Sequence, residues 1–132
     1  MKQPRYGDIF AGHDEGAAMA ENAKVLWAEY SAQLDARGLM TPPRARTLDR
    51  LVRATVEYQM LYPAAVAVGP VNRSENGGEY ANMVWYTVWK LSDQISRLEK
   101  ALTLTPESIG DKSEPDTGRD HPAAADEFLK LN

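Results

Sequence analysis

The chain has 132 residues, of which 43% are hydrophobic and 26% charged, and its formal charge is −4. That is one domain's worth of foldable sequence, with no apolar run near the roughly 18 residues that a membrane span needs. Cysteine is absent, which excludes disulfides and thiolate metal sites, and the acidic balance means that any nucleic-acid contact must come from a local patch.

Residues 1–13 contain Gly and Pro without a hydrophobic period and are expected to form an irregular arm. Met1-Lys2-Gln3-Pro4-Arg5 leads into no apolar stretch of the kind a secretory signal carries. A first helix is expected to begin between Asp14 and Glu21. Ala23, Trp27 (with Leu26), Tyr30 and Leu34 recur at spacings of three and four and form one apolar stripe. Gly38 is expected to stop this helix in the left-handed conformation that only glycine adopts cheaply.

After Leu39-Met40, Thr41 reads as an N-cap, and Pro42 falls where its missing N–H costs nothing. The second helix should turn Leu48, Leu51, Val52, Thr55, Tyr58 and Tyr62 towards the core. Pro63 should kink it rather than end it, since Ala64-Ala65-Val66-Ala67 still reads as helical. Arginines cluster around its start: Arg37, Arg44, Arg46, Arg50 and Arg53 fall close together with only Asp49 among them. Arg46, Arg50 and Arg53 stand at i, i+4 and i+7 and share a face. Arg44 lies in the first turn, beside N–H groups that can hold a phosphate. These four are the candidate DNA contacts, acting on the backbone, which positions a protein without reading sequence. A solvated helix face is the plain alternative.

Gly69-Pro70 breaks the helical pattern. Val71 and Glu79-Tyr80 flank a polar run containing Asn76-Gly77-Gly78, a tight-turn signal that predicts a short β-hairpin or ordered loop. Asn82 can cap a third helix, in which Val84, Val88, Leu91, Ile95, Leu98 and Leu102 alternate spacings of four and three as a heptad stripe. Met83, Val84, Trp85, Tyr86, Val88, Trp89 and Leu91 point in nearly all directions, and a helix apolar all round must be covered all round. Trp85, Val88, Trp89 and Ile95 are therefore the candidate contacts to a neighbouring copy of the chain. Thr105-Pro106-Glu107 should start a short final turn. From Glu107 onward acidic residues outnumber basic ones, and the stretch after Gly110 has a linker composition. Phe128, Leu129 and Leu131 look like a docking segment at the end of that tether, with an inert, solubilising tail as the alternative.

The sequence holds no G-x-x-x-x-G-K-[ST] loop and no G-x-G-x-x-G run. Its histidines are His13 in the arm and His121 in the linker. His13-Asp14-Glu15 cannot converge on one tetrahedral ion, and neither histidine stands on a rigid element where a nucleophilic triad would need it. No catalytic residue, metal site or cofactor is expected. The fold expected is all-α: a long antiparallel helix pair, a heptad-patterned third helix, a small β-hairpin between helices two and three, and a flexible C-terminal tail. The division expected is an arm over 1–13, a core for oligomerisation and DNA binding over 14–112, and the acidic tail over 113–132.

The order of these elements carries a resemblance. A Trp/Tyr helix leads to Arg37-Gly38-Leu39-Met40-Thr41, a long second helix, a polar turn with Asn76-Gly77-Gly78 and Tyr80-Ala81-Asn82, and a helix ending in Leu98-Glu99-Lys100-Ala101-Leu102. Leu104-Thr105-Pro106-Glu107-Ser108 closes it. Over residues 20–112 this resembles the short helical terminase small subunits of tailed double-stranded DNA phages, and Asp126-Glu127-Phe128-Leu129 is similar to their tails. Its most specific stretch is residues 95–108, where Ile95 takes the first leucine position. The resemblance implies a non-enzymatic, ring-like homo-oligomer in the cytoplasm of the bacterial host, without membrane contact. It further implies binding to double-stranded viral packaging-site DNA and delivery of that DNA to a large subunit with ATPase and nuclease activity. Two positions depart from the pattern: Gly110 stands where a basic residue is common, and Pro63 interrupts the second helix. A helix-turn-helix regulator and a virion structural adaptor without DNA affinity are the rival readings.

Overall fold

A computed structural model describes residues 1–106 apart from Ser74 and Asn76. The boundary expected at 112/113, Gly110, the docking segment Phe128, Leu129 and Leu131, and the turn after Pro106 lie outside the described residues. The protein is mostly helical, with elements in the order α1 (Tyr6–Ile9), α2 (Gly16–Ala36), α3 (Pro42–Val68), β1 (Val71–Arg73), β2 (Glu79–Ala81) and α4 (Met83–Ala101). By compactness it divides into Met1–Leu98 and a second unit that begins at Glu99.

In the first unit the N-terminal arm corrects the expectation of an irregular segment. Its single helical turn, α1, brings Tyr6 and Phe10 onto one side, four residues apart, with ring centroids 6.2 Å apart. Both rings are buried, and α1 packs on α2. The approach is close at Gly16, the first residue of α2. A Cβ there would run into the backbone carbonyl of Phe10, so only glycine lets the arm lie this near. Along α2, Met19, Ala20, Ala23, Trp27 and Leu34 form the buried stripe. Gly38, at φ 68°, ends the helix. Leu39 N–H donates to Leu34 C=O (2.8 Å) and Gly38 N–H to Asp35 C=O (2.9 Å), which satisfies carbonyls that the helix end would otherwise leave open.

The chain then reverses. The Thr41 side chain accepts from Arg44 N–H, and Pro42 and Pro43 follow at positions where no helical donor is needed. Leu48, Leu51, Val52, Ala54, Val56 and Ala65 of α3 are buried, and α3 packs on α2. Asn22 near the start of α2 donates to the Gln59 side chain well along α3, so the two helices run back along each other. Pro63 lies inside α3, and the helix continues past it until Gly69, at φ 82°.

Val71–Arg73 and Glu79–Ala81 form a two-stranded antiparallel ladder with Val71 opposite Ala81. Asn82 N–H donates to Pro70 C=O (3.0 Å) and closes this excursion. The buried Asn82 side chain also accepts from Val84 N–H at 2.8 Å and so caps α4. On α4, Val88 and Leu91 are buried, and Val84, Ile95 and Leu98 are half-buried. In the second unit, beyond Ala101, Leu104 N–H donates to Glu99 C=O (2.8 Å) and Thr103 N–H to Lys100 C=O (3.0 Å), the same terminating pattern as at Gly38. Here the left-handed position is held by Thr103 at φ 55°, where a β-branched side chain is strained.

Candidate nucleic-acid and assembly surfaces

The four arginines around the start of α3 have different surroundings. Arg44 is half-buried and folds back on the corner between α2 and α3, where its Nη1 donates to Leu39 C=O at 3.2 Å. It ties down a carbonyl of the turn and is less exposed than Arg46 and Arg50. Arg53 is held by Asp49, four residues earlier: Nε donates to Oδ1 at 3.2 Å and Nη2 to Oδ2 at 2.8 Å. Tyr6 donates its hydroxyl to the same Oδ1 at 2.9 Å, which links the N-terminal arm to α3. Arg46 and Arg50 are exposed and make no ion pair among the described residues. One helical turn apart on one face, they are two uncompensated positive charges.

The Tyr6–Asp49–Arg53 chain sets the electrostatics here. Burial pushes the Tyr6 phenol well above its ordinary range, and the hydrogen bond to Asp49 and its negative charge push the same way; Arg53 opposes them weakly. The hydrogen bond to Asp49 raises the already high pKa of Arg53. Tyr6 is therefore neutral and Asp49 is matched by Arg53, so the group carries no net charge.

A second surface lies where α3 meets α4. Tyr58 and Tyr62 of α3 are 5.5 Å apart by ring centroid, Tyr62 meets the Trp85 ring edge-on at 6.0 Å, and Trp85 and Trp89 of α4 are 5.7 Å apart. This ladder runs from the half-buried Tyr58 out to Trp89, which is 54% exposed. Met83 is 70% exposed, and Tyr86, with Lys90 placed 5.4 Å over its ring, is also exposed. Among the described residues, broad helix packing is confined to α1 with α2 and α2 with α3, so much of α4 faces solvent. Of the four candidate assembly residues, Val88 is covered by its own chain, Trp85 and Ile95 are half-buried, and Trp89 is open.

His13 is exposed, and its Nδ1 accepts from Glu15 N–H at 2.9 Å, a local turn contact. Among the described residues no three His, Cys, Asp or Glu side chains come together as a metal site would require, and no helix is long and apolar enough to cross a membrane.

Sequence reasoning left three features of these surfaces unassigned. The i, i+4 spacing of Asp49 and Arg53 was a signal for their pairing. Tyr6 and Phe10 at i, i+4 were a signal for a docked arm. The contact of Tyr6 with Asp49, across 43 residues, left none. Compared with known proteins, the chain matches the family model described as phage terminase, small subunit, over residues 23–118. No curated protein and no solved structure matches it.

Proposed function

The chain belongs to the phage terminase small-subunit family, and from that membership we propose that it binds double-stranded packaging-site DNA as a homo-oligomer and delivers it to the large ATPase-nuclease subunit inside the host cell. The observation that carries the DNA part is the pair Arg46 and Arg50: exposed, on one face of α3, and without an acidic partner in a chain whose net charge is −4. Such side chains attract phosphates and confer position rather than sequence reading. Two charges per protomer give weak binding alone. Repeating them around an oligomer multiplies affinity through effective concentration. This reading keeps Arg46 and Arg50 as the backbone contacts and leaves Arg44 to the α2–α3 corner.

Assembly rests on α4. An exposed patch of Met83, Tyr86 and Trp89, continued inward by Trp85 and Ile95, is the kind of surface that a second subunit covers. Val88 contributes from beneath, as core. The docking role belongs to Phe128, Leu129 and Leu131, an apolar group in an acidic stretch that lies beyond the family match. The experiment is light scattering of the chain alone and with duplex DNA carrying the packaging site. A closed oligomer of defined mass that takes up the duplex is expected. A monomer at tens of micromolar that leaves the duplex free contradicts the proposal.

A further inference from the structure

We infer that Arg53 reads a base, a guanine edge in the major groove, while Arg46 and Arg50 hold phosphates. This rests on the DNA-binding reading above and adds to it the residue that discriminates sequence. Arg53 is fixed in a way its neighbours are not. Its Nε and Nη2 donate to the two oxygens of Asp49, and Asp49 is held from behind by the hydroxyl of the fully buried Tyr6. The side chains of Arg53 and Asp49 are 44% and 20% exposed, so the acid lies beneath and the guanidinium reaches the surface. Asp49 takes up neither N–H group of Nη1 and only one of Nη2.

That remaining edge offers two parallel donors to two adjacent acceptors. Guanine presents such a pair in N7 and O6, and a phosphate presents one in its two free oxygens. Charge decides between them. The Asp49–Arg53 pair is neutral as a unit, and a phosphate brought to Arg53 would also meet the Asp49 carboxylate. A guanine edge carries no charge and meets no such repulsion. Arg46 and Arg50, which no acid offsets, are the better phosphate contacts. All three arginines lie on one face of α3, within reach of one groove. Arg46 to Arg53 spans about 10 Å of helix at 1.5 Å per residue, and a major groove about 12 Å wide admits a helix. The buttress also fixes the fork before DNA arrives, as discrimination by a planar donor pair requires.

The test is selection of duplexes from a randomised library by the full-length, assembled protein, followed by affinities for the enriched site. The wild type should enrich a fixed guanine, and replacing it, or removing its N7 with 7-deazaguanine, should weaken binding by on the order of ten- to a hundredfold. Arg53→Lys keeps the charge and loses the fork. It should lose that preference while leaving affinity for unselected DNA and its salt dependence unchanged. Tyr6→Phe, acting only through Asp49, should lose part of the preference with oligomer mass intact. Arg46→Ala with Arg50→Ala should weaken binding to all sequences alike and keep the guanine preference. If Arg53→Lys keeps the preference, or if Arg53→Ala weakens all sequences equally and flattens the salt dependence, Arg53 is not a base reader. A wild type that binds DNA without a fixed guanine overturns the inference alone. One that binds no duplex overturns the DNA-binding reading with it.

Discussion

Replacing Tyr6 by Phe removes one hydroxyl and leaves the buried ring in place. That hydroxyl donates at 2.9 Å to Asp49, a carboxylate that also receives Arg53. Hydrogen bonds to charged groups contribute roughly 1.5–3 kcal/mol. Tyr6→Phe should therefore lower stability at pH 7 by about that amount, little of it from packing. The pH dependence makes the cause specific. Burial and Asp49 raise the Tyr6 pKa above the ordinary value. A group whose folded pKa is raised gives its full stabilisation below the unfolded pKa and loses it as pH climbs towards the folded one. The unfolded phenol ionises near pH 10, so above that pH the unfolded state binds fewer protons than the folded state. Stability should fall there by about 1.4 kcal/mol per pH unit from this tyrosine alone. Denaturant melts followed by circular dichroism at pH 7, 9, 10 and 11 measure this directly. Contributions common to both proteins cancel in the difference. The gap between wild type and Tyr6→Phe should hold from pH 7 to 9 and shrink above pH 10. A gap that is absent at pH 7, or unchanged at pH 11, refutes the reasoning.

Further outcomes follow from single positions. Gly16→Ala pushes a methyl into the Phe10 carbonyl and should cost about 1–3 kcal/mol, with limited proteolysis cutting the arm after Arg5 faster than in wild type; an unchanged melt and digest would mean the arm adjusts freely. Thr103→Gly relieves a β-branched residue at φ 55°. Relief of roughly 1–2 kcal/mol, less glycine's added unfolded-state entropy of roughly 0.5–1 kcal/mol, should raise the thermal midpoint slightly, and a lowered midpoint would show that the side chain matters more than the strain. A chain cut after Lys112 should keep its oligomeric state and DNA binding and no longer stimulate the ATPase of the large subunit; full stimulation would remove the docking role of Phe128, Leu129 and Leu131.

Local signals in the sequence were readable where a short stretch contains the whole physical cause. Gly38 ends α2 because a left-handed residue is needed there. Thr41 and Asn82 cap the helices they precede. The spacing of Leu48, Leu51 and Val52 places them in the core. The candidate site was less legible because its character depends on which acid each arginine meets. Arg44, Arg46, Arg50 and Arg53 look alike as a basic run, yet a turn carbonyl engages one and Asp49 another, and two are left open. The docking of the arm was not legible because Tyr6 and Phe10 stand among Pro4, Gly7 and Gly12 without a longer hydrophobic period, and Gly16, which lets Phe10 approach, belongs to the next helix. The apolar surround of α4 was visible as a pattern, but its spacing does not separate Val88, covered by its own chain, from Trp89, which is open.

The most direct measurement is the salt dependence of duplex DNA affinity for the wild type and for Arg46→Ala with Arg50→Ala, each checked for oligomer mass. Every neutralised phosphate steepens the fall of log affinity with log salt by roughly 0.9. Both side chains are exposed and unpaired among the described residues, so the mass should not change. The expected result is a variant of wild-type mass with weaker binding to all sequences and a slope flatter by about 0.9 for each phosphate it no longer neutralises. A variant of the same mass that keeps wild-type affinity and slope would contradict the assignment of DNA binding to this face of α3.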